Sequence, residues 1–152
     1  MENAQIFNDL EVCLDWLGFT FFSFSNPYDV LDFLGFSNGD FVVCNGSNGY
    51  KSSLRHSFYP VTILYDGRED MGIHVNITGS AISYALECFV ESIKVLTPFG
   101  DYAVEYSDDS MMARYLRHIS ESGKFTRVDL AIDDKGCNYY SVNDVHEICD
   151  SD

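Results

Sequence analysis

An α+β domain, with helices packed on a mostly antiparallel sheet, is the fold this sequence predicts, and three stretches predict it. Residues 125–134 alternate with period two: Val128, Leu130 and Ile132 fall on one face, expected to meet the core, and Arg127, Asp129, Ala131 and Asp133 fall on the other. Residues 61–65 and 72–78 read as the arms of a hairpin joined by Asp66-Gly67-Arg68-Glu69-Asp70. Residues 80–96 carry Ile82, Leu86, Phe89, Val90, Ile93 and Leu96 at helical spacing, while Glu87, Glu91 and Lys94 point away. Half-apolar strands beside an amphipathic helix place one core between a sheet and a helical layer.

The remaining elements follow in chain order. Residues 13–24 include Leu14, Trp16, Leu17, Phe19, Phe21, Phe22 and Phe24, too apolar and aromatic for a surface helix, and predict a buried central strand. Asn26-Pro27 opens a helix, since Asn caps, Pro suits the first helical position and Asp29 sits in the first turn. Val30, Leu31, Phe33 and Leu34 form its inner stripe, and Gly35 ends it. A short strand at 41–44 precedes the loop Asn45-Gly46-Ser47-Asn48-Gly49. On the second hairpin arm Ile73, Val75 and Ile77 face the core, leaving His74, Asn76 and Thr78 opposite. An acidic segment at 101–109 leads to a helix at about 108–121, striped by Met112, Tyr115, Leu116 and Ile119. A turn at Asp134-Lys135-Gly136 follows, then a final helix, with Ser141 and Asp144 in a capping-box pattern and Val142, Val145 and Ile148 as its stripe.

The 152 residues read as a single domain, 1–152, large enough to bury roughly two-thirds of the unfolded surface. A hydrophobic content of 46% with 15% aromatics excludes disorder as the main state. No apolar run reaches the roughly 18 residues needed to span a membrane, and no basic segment precedes an apolar one at the N-terminus. Five cysteines (Cys13, Cys44, Cys88, Cys137, Cys149) without a Cys-x-x-Cys pair predict reduced, structural thiols in a cytoplasmic protein. Charge is the strongest compositional signal: 24 acids against nine bases give −15, and no base precedes Lys51. Such a chain repels phosphate backbones at long range and is drawn to basic grooves; the plainer reading is that acidity keeps it soluble.

Two strands offer polar faces, His74/Asn76/Thr78 and Arg127/Asp129/Asp133. As sheet neighbours they could bring an imidazole, an amide and carboxylates to one divalent cation, and oxygen-rich ligation of that kind suits Mg²⁺ or Mn²⁺ in phosphodiester chemistry. Ordinary pairing of Arg127 with Asp129 would account for the same charges without a metal.

Four blocks give a further bearing. Asp15-Trp16-Leu17-Gly18-Phe19-Thr20-Phe21, Leu64-Tyr65-Asp66-Gly67, Met71-Gly72-Ile73-His74-Val75-Asn76-Ile77-Thr78-Gly79 and Phe125-Thr126-Arg127-Val128-Asp129-Leu130-Ala131-Ile132-Asp133-Asp134 resemble, in order and spacing, blocks of the replication initiation factor family. Those are the rolling-circle initiators and related relaxases of plasmids and integrative elements. The resemblance implies an initiator-like fold and nicking of one DNA strand by a tyrosine, assisted by a divalent metal held on the sheet. By it, His74 and Asp129, with Asn76 or Asp133 beside them, fall where ligands or catalytic groups are expected; Tyr139 and Tyr140 are candidate nucleophiles.

The sequence also departs from the family. Asn76 stands where an acidic ligand would be natural, and members of the family continue with a further sheet-forming half and a basic region. Lost chemistry with strong acidity points to a changed role: a non-catalytic inhibitor that mimics nucleic acid, without cofactor, directed at a basic nucleic-acid-binding protein. Most concretely, this would be an anti-CRISPR protein of a mobile element blocking the channel of a CRISPR effector nuclease. Its contact surface would be Asp101, Glu105, Asp108 and Asp109 with Asp144, Glu147, Asp150 and Asp152. Two alternatives stand beside it: a metal-dependent DNA- or RNA-nicking enzyme, and a truncated initiator serving as a replication accessory.

Overall fold

Two long strands, β1 (Leu10–Phe21) and β6 (Gly123–Asp134), flank a chain whose other strands are five or six residues long. The computed structural model describes residues 10–96 and 108–134. Between the long strands come α1 (Pro27–Leu34), β2 (Phe41–Asn45), β3 (Ser52–His56), β4 (Val61–Tyr65), β5 (Ile73–Thr78), α2 (Ala81–Leu96) and α3 (Asp108–Ser122). The strands form one sheet in the order β2-β3-β4-β5-β1-β6, and the pairs β2/β3, β3/β4, β4/β5 and β5/β1 are antiparallel. The α+β fold is therefore as expected. The chain divides into two units, Asp15–Asp129 and Met1–Leu14 with Leu130–Asp152. The first holds the helices, β2 to β5 and the larger parts of β1 and β6; of the second, 10–14 and 130–134 are described.

Period two decides which side chains reach the helices. Leu17, Phe19 and Phe21 of β1, Val61 and Ile63 of β4, and Ile73, Val75 and Ile77 of β5 are all buried. Against them lie Val30, Leu31 and Leu34 of α1, Ala81, Ile82, Ala85 and Phe89 of α2, and Met111, Tyr115 and Ile119 of α3. The hairpin closes as expected, with Ile63 opposite Val75 and Leu64 opposite His74. Helix α1 starts at Asn26, whose side chain accepts from the Tyr28 N–H at 3.1 Å, and Pro27 takes the first position. It ends at Gly35, which has φ +83° and donates to the Asp32 carbonyl while Phe36 donates to Leu31.

Four details differ from the sequence reading. Strand β1 runs Leu10–Phe21 rather than 13–24, and Phe22 is 61% exposed. Strand β3 was not anticipated, because Ser52-Ser53-Leu54-Arg55-His56 has only one strongly apolar residue; pairing with β2 and β4 makes it a strand. His56 is buried there and used structurally. Its Nδ1 accepts from the Phe58 and Tyr59 N–H groups at 3.0 Å each, and so its Nε2–H donates to the Tyr84 hydroxyl at 3.0 Å. Third, β1 lies between β5 and β6, so the two polar faces are not sheet neighbours.

The fourth difference is on β6. Val128, Leu130 and Ile132, expected in the core, are 50%, 63% and 66% exposed. The alternation slips by one residue: Phe125 meets the buried Phe19 ring edge-on at 5.8 Å, which puts it on the core side. Thr126 Oγ1 and Arg127 Cβ both lie beside Gly18 on the other side, 3.2 and 3.3 Å from where a Cβ would stand. Two successive residues on one face are the mark of a β-bulge. Beyond it β6 is the last strand of the sheet, and its apolar row is left open. The acidic segment at 101–107, Lys135 and Gly136 of the expected turn, and the final helix lie outside the described residues, while Asp134 ends β6.

Two stability measurements check this packing. The Tyr115 hydroxyl is fully buried and has no hydrogen-bond partner among the described residues. Tyr115→Phe is expected to raise the urea-unfolding free energy by about 1 kcal/mol or more, since it removes an unpaired polar group. A Cβ at Gly35 would stand 2.8 Å from the Cys88 carbonyl oxygen, at a φ that already disfavours a side chain. Gly35→Ala is expected to cost at least about 1–2 kcal/mol in the same assay.

Candidate functional site

The face of the sheet away from the helices carries the polar residues. On β1 they are Trp16, Gly18 and Thr20, alternating with the buried Leu17, Phe19 and Phe21. The register sets Gly18 opposite Asn76 and Thr20 opposite His74. A loop folds over this pair: Tyr50, anchored by its hydroxyl donating to the Met71 carbonyl at 3.0 Å, lays its ring over His74 with centroids 6.5 Å apart. His74 is thereby half-buried, and burial pushes its pKa below the usual imidazole value, against a smaller upward pull from its bond to Asn76.

The hydrogen bonds fix the tautomer of the neutral ring. The Trp16 indole N–H can only donate, so the Asn76 atom it meets at 3.2 Å is the amide oxygen. That oxygen also lies 3.3 Å from His74 Nε2, which must therefore carry the proton. Nδ1 is left as the acceptor and takes the Thr20 hydroxyl at 2.9 Å. Both ring nitrogens of His74 are thus engaged, and the burial that lowers its pKa favours the neutral form.

On the far side of Trp16 lies Arg127. Its guanidinium carbon stands 3.9 Å from the Trp16 ring centroid, a cation–π contact. Its Nε reaches both Asp129 oxygens at 3.0 Å, and an Nη donates to one of them. The pair is half-exposed, at 51% and 37%. Hydrogen bonding from Arg127 holds the Asp129 carboxyl below the usual carboxylate range, and the same bond raises Arg127. Gly18 makes the arrangement possible, because a side chain there would crowd the Asn76 oxygen at 3.3 Å as well as Thr126 and Arg127.

His74 and Asn76 therefore come together, and Asp129 is reached only through Trp16 and Arg127. Strand β1 intervenes, which separates the two polar faces by two strand spacings, about 10 Å. Among the described residues no three His, Cys, Asp or Glu side chains gather closely enough to hold a metal ion. Asp133 is exposed and accepts a weak contact from the Cys13 thiol at 3.8 Å. Asp101, Glu105, Asp144, Glu147, Asp150 and Asp152, with Tyr139 and Tyr140, lie outside the described residues; Asp108 and Asp109 open α3, but their side chains lie outside them too. Sequence reasoning missed Trp16, Thr20 and Tyr50. The signal for the first two was their period-two alternation with Leu17, Phe19 and Phe21, hidden by reading β1 as apolar on both faces.

No family model and no curated protein matches the chain. Among solved structures it is similar to a rolling-circle replication initiator protein from Geobacillus stearothermophilus, at 24% identity and a TM-score of 0.59. The likeness covers 91% of this chain and 49% of that one, so the chain spans about half the length of the structure it matches. At that identity the likeness is one of fold.

The His74 network makes stability depend on pH in a defined direction. With its native pKa below the unfolded value of 6.5, the unfolded chain takes the proton first. The stability His74 contributes is complete above that value and is lost as pH falls below it toward the native pKa. Urea midpoints taken from about pH 7.5 down to pH 5.5 are expected to fall less steeply in His74→Gln than in the wild type. Parallel curves for the two proteins would contradict the network.

Proposed function

We propose that the chain works in rolling-circle replication initiation, as an initiator-type module that acts alongside a basic DNA-handling protein rather than cutting DNA by itself. One observation carries this reading: the fold of a rolling-circle initiator runs along 91% of the chain. The four sequence blocks that resemble the initiation factor family support it, since they fall on β1, β4, β5 and β6 of that fold. A net charge of −15 opposes direct capture of a phosphate backbone and favours a basic protein surface as partner. Nicking by this chain, with His74, Asn76 and Asp129 as ligands, is the weaker reading, because each of those side chains is already committed to a neighbour.

The test mixes the purified chain with a full-length rolling-circle initiator and its origin DNA, with Mg²⁺ or Mn²⁺ present. A stable complex on gel filtration and an altered nicking rate of the initiator are expected, with no nicking by the chain alone. Cleavage by the isolated chain, or no association with any initiator, would sink the proposal.

The charge favours one second reading, in which the chain is an acidic inhibitor that mimics nucleic acid against a CRISPR effector nuclease. There the expected outcome is salt-sensitive binding to the effector, weakened once guide RNA fills its channel, and loss of target cleavage. Equal binding at low and high ionic strength would count against it.

A further inference from the structure

A divalent cation does not fit the open face as its donors stand. Both nitrogens of His74 are engaged, by Thr20 at 2.9 Å and Asn76 at 3.3 Å. The Asn76 oxygen already accepts from Trp16 at 3.2 Å. Asp129 is taken up by a guanidinium that reaches both its oxygens at 3.0 Å. This departs from the role that the family resemblance implies for these positions, and the departure has a physical cause: the positive charge is already present.

We propose that Arg127 is the resident cation of this face, holding Asp129 in place of a divalent metal ion, and that it closes the face to Mg²⁺ and Mn²⁺. Two properties suit Arg127 to that place. Its guanidinium stays charged at any working pH and forms a fork that matches a carboxylate. The Trp16 ring beneath it fixes its plane, at 3.9 Å. Without Arg127, the Asp129 carboxylate would be left without the positive charge that reaches both its oxygens, which is the condition a hard cation meets with oxygen ligands.

Trp16 is the chain's one tryptophan, so its indole N–H resonance reports this site alone. Mn²⁺ is the probe, because bound paramagnetic ion broadens nearby resonances. In the wild type, saturable broadening of the Trp16 signal is not expected. Arg127→Ala is expected to gain it, with Mn²⁺ binding at least about tenfold tighter than in the wild type and competed by Mg²⁺. Arg127→Ala with Asp129→Asn should lose the gain; this double variant also measures the diffuse attraction of Mn²⁺ to an acidic chain. Circular dichroism checks that each variant folds. Saturable broadening in the wild type that Asp129→Asn removes would overturn the proposal. So would a folded Arg127→Ala that gains nothing. If Arg127→Ala does not fold, the wild type with Asp129→Asn decides alone: site-specific broadening overturns the proposal and its absence supports it. No step of this test depends on DNA nicking or on an initiator partner, so it can fail independently of the proposed function.

Discussion

Strand β1 has to satisfy two chemistries at once, and the rest of the described sheet depends on how it does so. Its odd positions, Leu17, Phe19 and Phe21, are fully buried and supply aromatic mass to the core. Its even positions, Trp16, Gly18 and Thr20, supply an indole donor, a gap and a hydroxyl to the opposite face. A one-residue slip in its pairing with β5 would exchange these roles and leave neither face intact. The pairing of Phe19 with Val75 and of Thr20 with His74 is therefore held from both sides, by apolar burial below and by hydrogen bonds above.

The bulge on β6 extends that division. Before it, Phe125 still packs on Phe19; after it, Arg127 and Asp129 join the polar face. A regular strand would have kept Arg127 on the side of Phe125, toward the core, where a charge without a partner is costly. One extra residue resolves the conflict and brings the guanidinium over Trp16. After it Val128, Leu130 and Ile132 alternate away from the polar face, and they are exposed on the outermost strand of the sheet.

Electrostatics and fold pull the functional reading in different directions. The fold is similar to that of a rolling-circle initiator, yet 24 acids against nine bases oppose contact with a phosphate backbone. The polar face softens that conflict locally, because burial favours the neutral form of its imidazole and its Asp129 is paired. The excess negative charge belongs to other parts of the chain, seven of its acids falling before the first base. A module of this kind meets a basic protein more readily than a phosphate backbone, which is why both functional readings turn on a protein partner.

Much was legible from the residues themselves. The hairpin, the caps of α1 at Asn26 and Gly35, the apolar stripes of α2 and α3, and the outward face of His74 and Asn76 all follow from local periodicity and backbone preference. These are short-range properties, and a linear string records them. Sheet order is not one of them: nothing in the spacing of 73–78 and 123–134 says that β1 inserts between them, because pairing partners are chosen by the whole core. The bulge, the strand at Ser52–His56 and the commitment of Asp129 to Arg127 belong to the same class. Residue types alone showed an imidazole, an amide and a carboxylate; tertiary structure decided which of them meet, because only the folded sheet fixes the distances over which a proton or a charge is shared.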